Sequence, residues 1–154
     1  MARRETTEIV VAMNPDSYAE DLDKLAPGGM FLYNDEVEQE ISRDDIIVFS
    51  MPVRSLVRDA TPPRELYNYV ANMVYVGFLA YLLGIDLDVL HQALEFHFDG
   101  KQKPVALNMD IIERAVDWAA ENIERESPYR VESMDGTEGY IMATGNKAGA
   151  LGSI

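Results

Sequence analysis

Cysteine is absent from the sequence. Without a thiol the chain cannot form a disulfide, hold zinc through sulfur, ligate an iron–sulfur cluster by thiolates or use a cysteine nucleophile. Basic residues are scarce: 13 Lys and Arg stand against 27 Asp and Glu, a formal charge of −14. A nucleic-acid binder needs a basic footprint for the phosphate backbone, and an anionic membrane surface asks for the same. Neither partner is expected. Long apolar runs are lacking as well. The longest, residues 70–85, contains Asn72, Gly77 and Gly84 and falls short of the roughly 20 apolar residues that cross a bilayer, so a buried helix is expected there. Residues 1–6 carry Arg3 and Arg4 with no apolar segment behind them, unlike a signal peptide. The expectation is a soluble, cytoplasmic protein. What is present, 154 residues at 47% hydrophobic and 26% charged, suits one domain with a core of its own rather than a disordered acidic tail.

The patterning is that of an α/β fold. Glu8-Ile9-Val10-Val11-Ala12-Met13 is a continuously apolar, β-branched run, the signature of a strand buried on both faces. Asn14-Pro15-Asp16 supplies a helix N-cap, a proline at the first helical position and an acid in the first turn. Tyr18, Leu22 and Leu25 then share a helical face, Pro27-Gly28-Gly29 is read as the stop, and Met30-Phe31-Leu32-Tyr33 as a second strand. Strand, helix and strand joined by tight turns make a βαβ unit. After an acidic loop, Asp35 to Asp44, Asp45-Ile46-Ile47-Val48-Phe49-Ser50 repeats the buried-strand signature and Met51-Pro52 closes it.

From Pro63 the spacing turns helical. Leu66, Tyr69, Val70, Met73, Val76, Gly77, Ala80 and Leu83 recur at three- and four-residue steps. That segment is apolar nearly all round and must be covered on more than one side. Gly84 ends it, Asp86 or Asp88 caps a shorter helix carrying Leu87, Leu90, Leu94 and Phe98 inward, and Asp99-Gly100 breaks that one. A third helix runs from Pro104 to Ile123, with Ile111, Ile112, Ala115, Trp118, Ala119 and Ile123 opposite Asp110, Glu113, Asp117 and Glu121. The polar stretch 125–139 has linker composition. Tyr140-Ile141-Met142-Ala143-Thr144 reads as one more strand, and Gly145 to Gly152 as the small-residue opening of a helix. A strand and one helix turn cannot bury a sheet by themselves, and the chain enters directly on a buried-type strand. The expectation is a sequence cut at both ends.

Few residues point to chemistry. His91 and His97 do not have the i, i+4 spacing of a chelating pair, and the run Asp35-Glu36, Glu38, Glu40, Asp44-Asp45 lacks the spacing and central glycine of a calcium loop. Solvent-edge histidines and a solvated acidic loop are the plainer readings, and no metal site or catalytic residue is expected. Gly28-Gly29 ends a helix rather than opening one, so it is not a phosphate cradle. Open α/β sheets bind ligands beyond the carboxyl ends of their strands. That rule selects Asn14, Ser50, Gly145 and Asn146 as candidate cofactor-binding residues, against the alternatives of an empty N-cap at Asn14, an ordinary strand end at Ser50 and close helix packing at Gly145-Asn146.

Certain runs resemble a known family. Val10-Val11-Ala12-Met13-Asn14-Pro15, Leu25-Ala26-Pro27-Gly28-Gly29, and Asn72-Met73-Val74-Tyr75-Val76-Gly77 leading to Leu83-Gly84-Ile85 resemble the γ domain of 2-oxoacid:ferredoxin oxidoreductases. Gly145-Asn146-Lys147-Ala148-Gly149-Ala150-Leu151-Gly152 is similar to the Gly-Asn-x-Ala-x-x-x-Gly opening of their α, or pyrimidine-binding, domain. The order resembles the fused γ–α subunit of 2-oxoglutarate-type enzymes.

The resemblance implies a three-layer α/β/α Rossmann-like domain with a mostly parallel sheet and C-terminal helices. It divides the chain into a partial γ domain at 1–124, a linker at 125–139 and the start of an α domain at 140–154. It further implies oxidative decarboxylation of a 2-oxoacid with thiamine diphosphate and Mg²⁺, electrons passing through iron–sulfur clusters to ferredoxin, an acyl-CoA product, and a β subunit as partner. The γ share would be structural and on the coenzyme A side, inactive alone. The family's glycine-rich first strand and turn, its Tyr-Pro-Ile-Thr-Pro-like segment, its thiamine-binding acid and its cluster cysteines are not in these residues, so no catalytic residue carries over. The competing readings are a stand-alone Rossmann-like nucleotide-binding module and an assembly module joined through Tyr75, Phe78 and Tyr81.

Overall fold

The computed structural model describes residues 6–37, 41–124, 127–134, 136, 138–140, 143–145, 148–149 and 152. Three strands form one parallel sheet in the order β1 (Thr7–Ala12), β2 (Leu25–Asn34), β3 (Ile47–Met51). Helix α1 (Tyr18–Lys24) crosses from β1 to β2, and α2 (Val53–Asp59), α3 (Tyr67–Val70), α4 (Asn72–Leu83), α5 (Leu87–His97) and α6 (Gln102–Asn122) follow β3.

Alternation along β2 sorts the core into two layers, because successive side chains leave a strand on opposite faces. Phe31 packs with Ala12, Tyr18 and Leu25 on the α1 side. Met30 and Leu32 pack with Phe49 and Met51 beneath α2, α4 and α6. The resulting helix–sheet–helix layering is the expected three-layer α/β/α architecture. The central strand is buried as the sequence predicts, with Met30, Phe31 and Leu32 fully enclosed.

The flanking strands correct the reading of burial on both faces. β1 is exposed at Thr7, half-buried from Glu8 to Val11 and buried only at Ala12, because it forms one edge of the sheet. In β3, Phe49 and Met51 are buried while Val48 and Ser50 are exposed, because α1 covers β1 and β2 without reaching over β3.

The helix stop also moves. Helix α1 ends at Lys24, and Leu25 through Gly29 already belong to β2. Proline disfavours helical backbone in the residue before it, which pushes Ala26 toward extended conformation. Gly28 takes a positive φ of 75° and donates its N–H to the Asp45 carbonyl at 2.6 Å. The pairing register between β1 and β2 slips at this point, between Thr7 and Ile9. A Cβ on Gly29 would stand 2.8 Å from the Glu8 carbonyl oxygen, so Gly29 serves the close approach of the two strands. Arg43 pins the same end: its Nη1 donates to the Leu22 and Leu25 carbonyls at 2.6 and 2.8 Å, and Nε and Nη2 grip both Asp45 carboxylate oxygens.

Helix α4 is enclosed as its all-round apolar pattern requires. Val74, Phe78 and Leu82 face the sheet and α6, while Met73 and Val76 join Val105, Met109 and Ile112 and the partly buried leucines of α5. By length and composition the stretch Arg64–Leu83 is apolar enough to cross a membrane; in this fold its α4 part is a core helix. Gly77 lets α4 and α6 touch, since a Cβ there would lie 2.6 Å from both the Ala115 Cβ and the Ile112 carbonyl oxygen. Gly84 ends α4 in the left-handed region, at φ 70°. Asp86 caps α5 through its carboxylate, which accepts from the Asp88 N–H at 2.9 Å. Asp99 and Gly100 break α5 with positive φ angles.

Helix α2 was not foreseen, although Val53, Leu56 and Val57 keep helical spacing and are buried. Beyond α6, residues 127–134 are irregular yet attached: the Val131 N–H donates to the Leu83 carbonyl at 2.9 Å and Tyr129 packs on the core. The predicted strand at 140–144 falls partly outside the described residues, and Tyr140, Ala143 and Thr144 are not in a strand. Helical hydrogen bonds run from the Ala148 N–H to Thr144 and from the Gly152 N–H to Ala148.

Candidate functional site

Because all three strands are parallel, their carboxyl ends open on one edge of the sheet. Three loops leave there: Met13-Asn14 after β1, Asp35-Glu36 after β2 and Pro52 after β3. Asn14 is exposed, and its side-chain oxygen accepts from the Asp16 N–H at 3.2 Å as an N-cap. Ser50 is exposed on β3. Tyr33 pairs with Ala12 on one side and Ser50 on the other, so Ala12 and Ser50 stand about two strand spacings or ~10 Å apart, and Asn14 lies two residues beyond Ala12 at the same end of the sheet. Gly145 is exposed with open space where a Cβ would stand, and Asn146 lies outside the described residues. The structure therefore joins two of the four candidates at one edge.

The edge is braced from beneath. The buried Tyr18 hydroxyl donates to the Ala12 carbonyl at 3.2 Å, tying α1 to the end of β1. Burial pushes the phenol above its ordinary pKa, and a hydrogen bond with the Asn34 backbone partly opposes this. Burial likewise raises Tyr75. The Asp35 N–H donates to the Met51 carbonyl at 3.0 Å, and the Glu36 N–H to the Asn34 side chain at 3.2 Å. The Asp35 carboxyl is raised from its ordinary value, first by partial desolvation and then by neighbouring Glu36.

On the β3 side Glu36, Arg54, Arg58 and Tyr67 line a cleft of about 460 Å³. Arg54 Nη1 donates to Glu36 at 2.8 Å and the Tyr67 hydroxyl to the Arg54 carbonyl at 3.1 Å. The pairing with Glu36 raises the Arg54 pKa. Sequence reading missed these four residues. The available signal was Arg54 and Arg58 at i, i+4 just after a strand-ending proline.

Chemically, this edge offers hydrogen-bond donors, a carboxylate and guanidinium groups, which bind and orient a polar ligand. The histidines sit elsewhere, both on α5, with His91 3.9 Å from Glu95 and the His97 ring against Phe98. No group of three His, Cys, Asp or Glu able to hold a metal is found among the described residues.

An open parallel α/β/α sheet with polar loops beyond its strands defines a Rossmann-like domain. The family model described as pyruvate ferredoxin/flavodoxin oxidoreductase matches residues 1–118, and the chain belongs to that family. It is 32% identical over 124 residues to the ketoisovalerate oxidoreductase subunit VorA of Methanothermobacter thermautotrophicus, covering 79% of this chain and 25% of that one. It is 30% identical over 117 residues to subunit alpha of 2-oxoacid:ferredoxin oxidoreductase 2 of Aeropyrum pernix, covering 70% and 17%. The chain thus spans about a quarter or less of the length of the curated relatives it matches.

The fold matches that of the 2-oxoglutarate:ferredoxin oxidoreductase from Magnetococcus marinus, solved with 2-oxoglutarate, coenzyme A and succinyl-CoA bound. The TM-score is 0.68 at 23% identity, over 83% of this chain and 22% of that one.

Proposed function

We propose that this chain forms part of an α-type subunit of a 2-oxoacid:ferredoxin oxidoreductase. The reaction is 2-oxoacid plus coenzyme A plus oxidised ferredoxin to acyl-CoA, CO2 and reduced ferredoxin. The observation that carries the reading is the family match over residues 1–118, supported by two relatives whose names describe them as subunits. The residues present do not fit the family's redox groups. Cluster ligation by thiolates needs cysteines, and the chain has none. The role left for these residues is structural, with the edge carrying Asn14 and Ser50 turned toward the coenzyme A side, and Gly145-Asn146 opening the pyrimidine-binding domain. Residues 1–124 act as the γ-type domain, 125–139 as the linker and 140–154 as the start of the α-type domain. The partners are a β subunit and, through the complex, ferredoxin, in the cytoplasm.

Co-expression of the chain, within its full reading frame, with a β subunit encoded beside it tests this. Dye reduction under anaerobic conditions with pyruvate, 2-oxoglutarate and 2-oxoisovalerate, with and without coenzyme A, should show CoA-dependent turnover of at least one acid. A stable complex that turns over none of them refutes the assignment.

A further inference from the structure

The carboxyl edge of the sheet is polar, whereas a large apolar opening lies elsewhere. Between α3, α4, α5 and the start of α6 runs a cleft of about 790 Å³, walled by Leu66, Val70, Met73, Leu94, Phe98 and Leu107. Its mouth leaves apolar surface in water: Tyr69 is 75% exposed and Leu66 38%. Ligand sites are of this size, mostly apolar, with a few placed polar groups. Lys103 is the charged side chain in the lining.

Charge at this mouth runs against the charge of the molecule. In a chain of net charge −14, Lys24, Arg43, Arg54, Arg58 and Arg114 are each held in an ion pair. Lys103 has no such partner among the described residues, and neither do Arg64 and Lys101, which flank lining residues in sequence. Of the other polar wall groups, Asn108 donates its side-chain N–H to the Pro104 carbonyl at 2.7 Å, within its own helix, and His97 sets its ring against Phe98. Glu95, on the adjoining helix, is engaged by His91 and Gln102.

We propose that this cleft binds an amphipathic carboxylate, an aliphatic chain lying along the apolar wall with its anionic head at Lys103. A neutral hydrocarbon filling the cleft would make no use of the exposed, unpaired ammonium group at its rim. A compact polyanion would gain nothing from the leucine, methionine and phenylalanine walls. A single anionic head on an apolar chain satisfies both, through a charge-assisted hydrogen bond and burial of successive methylenes.

Titration calorimetry on the purified full chain, with butyrate, octanoate, 1-octanol and octylamine as probes, tests the proposal. Octanoate should bind, and more tightly than butyrate by roughly threefold or more per added methylene. Lys103→Glu should weaken octanoate by about tenfold or more and leave 1-octanol unchanged. Leu66→Glu, at an exposed wall position, should weaken octanoate and 1-octanol alike. Circular dichroism of both variants should match the parent. The proposal is overturned if octanoate shows no saturable binding, if octylamine binds as tightly as octanoate, or if Lys103→Glu leaves octanoate affinity intact.

Discussion

On one face of the sheet a single seven-residue helix, α1, packs on Ala12, Leu25 and Phe31. On the other, α2, α4 and α6 together enclose Met30, Leu32, Phe49 and Met51. The thin face stops short of β3 and leaves Val48 and Ser50 open. The thick face continues through α4 into a second helical layer, where Met73 and Val76 meet Val105, Met109 and Ile112. The difference teaches where stability resides. The thick face holds the fold together, while the thin face and the carboxyl edge leave strand positions exposed.

Substitutions can break or sharpen that contrast. The largest expected effect is at Phe78, fully buried between sheet and α6: Phe78→Ala should cost about 3–5 kcal/mol of unfolding free energy in urea titrations. Gly77→Ala comes next, because its new methyl meets Ala115 and the Ile112 carbonyl of α6 at 2.6 Å; overpacking of this kind costs roughly 1–3 kcal/mol. On the thin face, Tyr18→Phe removes the bond to the Ala12 carbonyl and should cost about 1 kcal/mol, read by the same titration.

The amino end of the sheet gives a pH test. Arg43 lowers the Asp45 pKa, chiefly through its hydrogen bonds. A carboxylate whose folded pKa is depressed contributes stability that is present above its unfolded value and lost as the pH falls through the folded one. The urea midpoint should therefore drop on acidification below about pH 4, and Asp45→Asn should flatten that part of the profile. The smallest effect belongs to the open strip: Val48→Thr should change stability by less than about 0.5 kcal/mol. A loss of several kcal/mol there would mean that the thin face is packed after all.

Much of this contrast was legible in the residues. The Asn14-Pro15 cap, the Gly84 stop and the Asp86 cap act locally, and each stands as read; the β-branched runs are strands, though not buried on both faces. The all-round apolar α4 required two covering layers and has them. What the sequence hid depends on partners distant in the chain. A continuous apolar run does not say whether its strand is central or at an edge, so β1 and β3 looked as buried as β2. Gly29 reads as part of a stop and Gly77 as one more member of the helical stripe, yet each admits the backbone or side chain of another element. At the candidate site, Asn14 and Ser50 followed from the rule for parallel strand ends. The Glu36, Arg54, Arg58 and Tyr67 cleft did not, because α2 itself, seven residues long, was too short to announce its period.

The central claim is that these residues are a scaffolding part of a 2-oxoacid:ferredoxin oxidoreductase and carry no redox chemistry by themselves. The direct measurement is anaerobic, CoA-dependent dye reduction by the isolated 154-residue chain after incubation with iron, sulfide, thiamine diphosphate and Mg²⁺, run beside the reconstituted complex. The proposed role predicts turnover by the complex and a rate indistinguishable from the blank for the chain. Sustained CoA-dependent oxidation of any 2-oxoacid by the chain alone would contradict it.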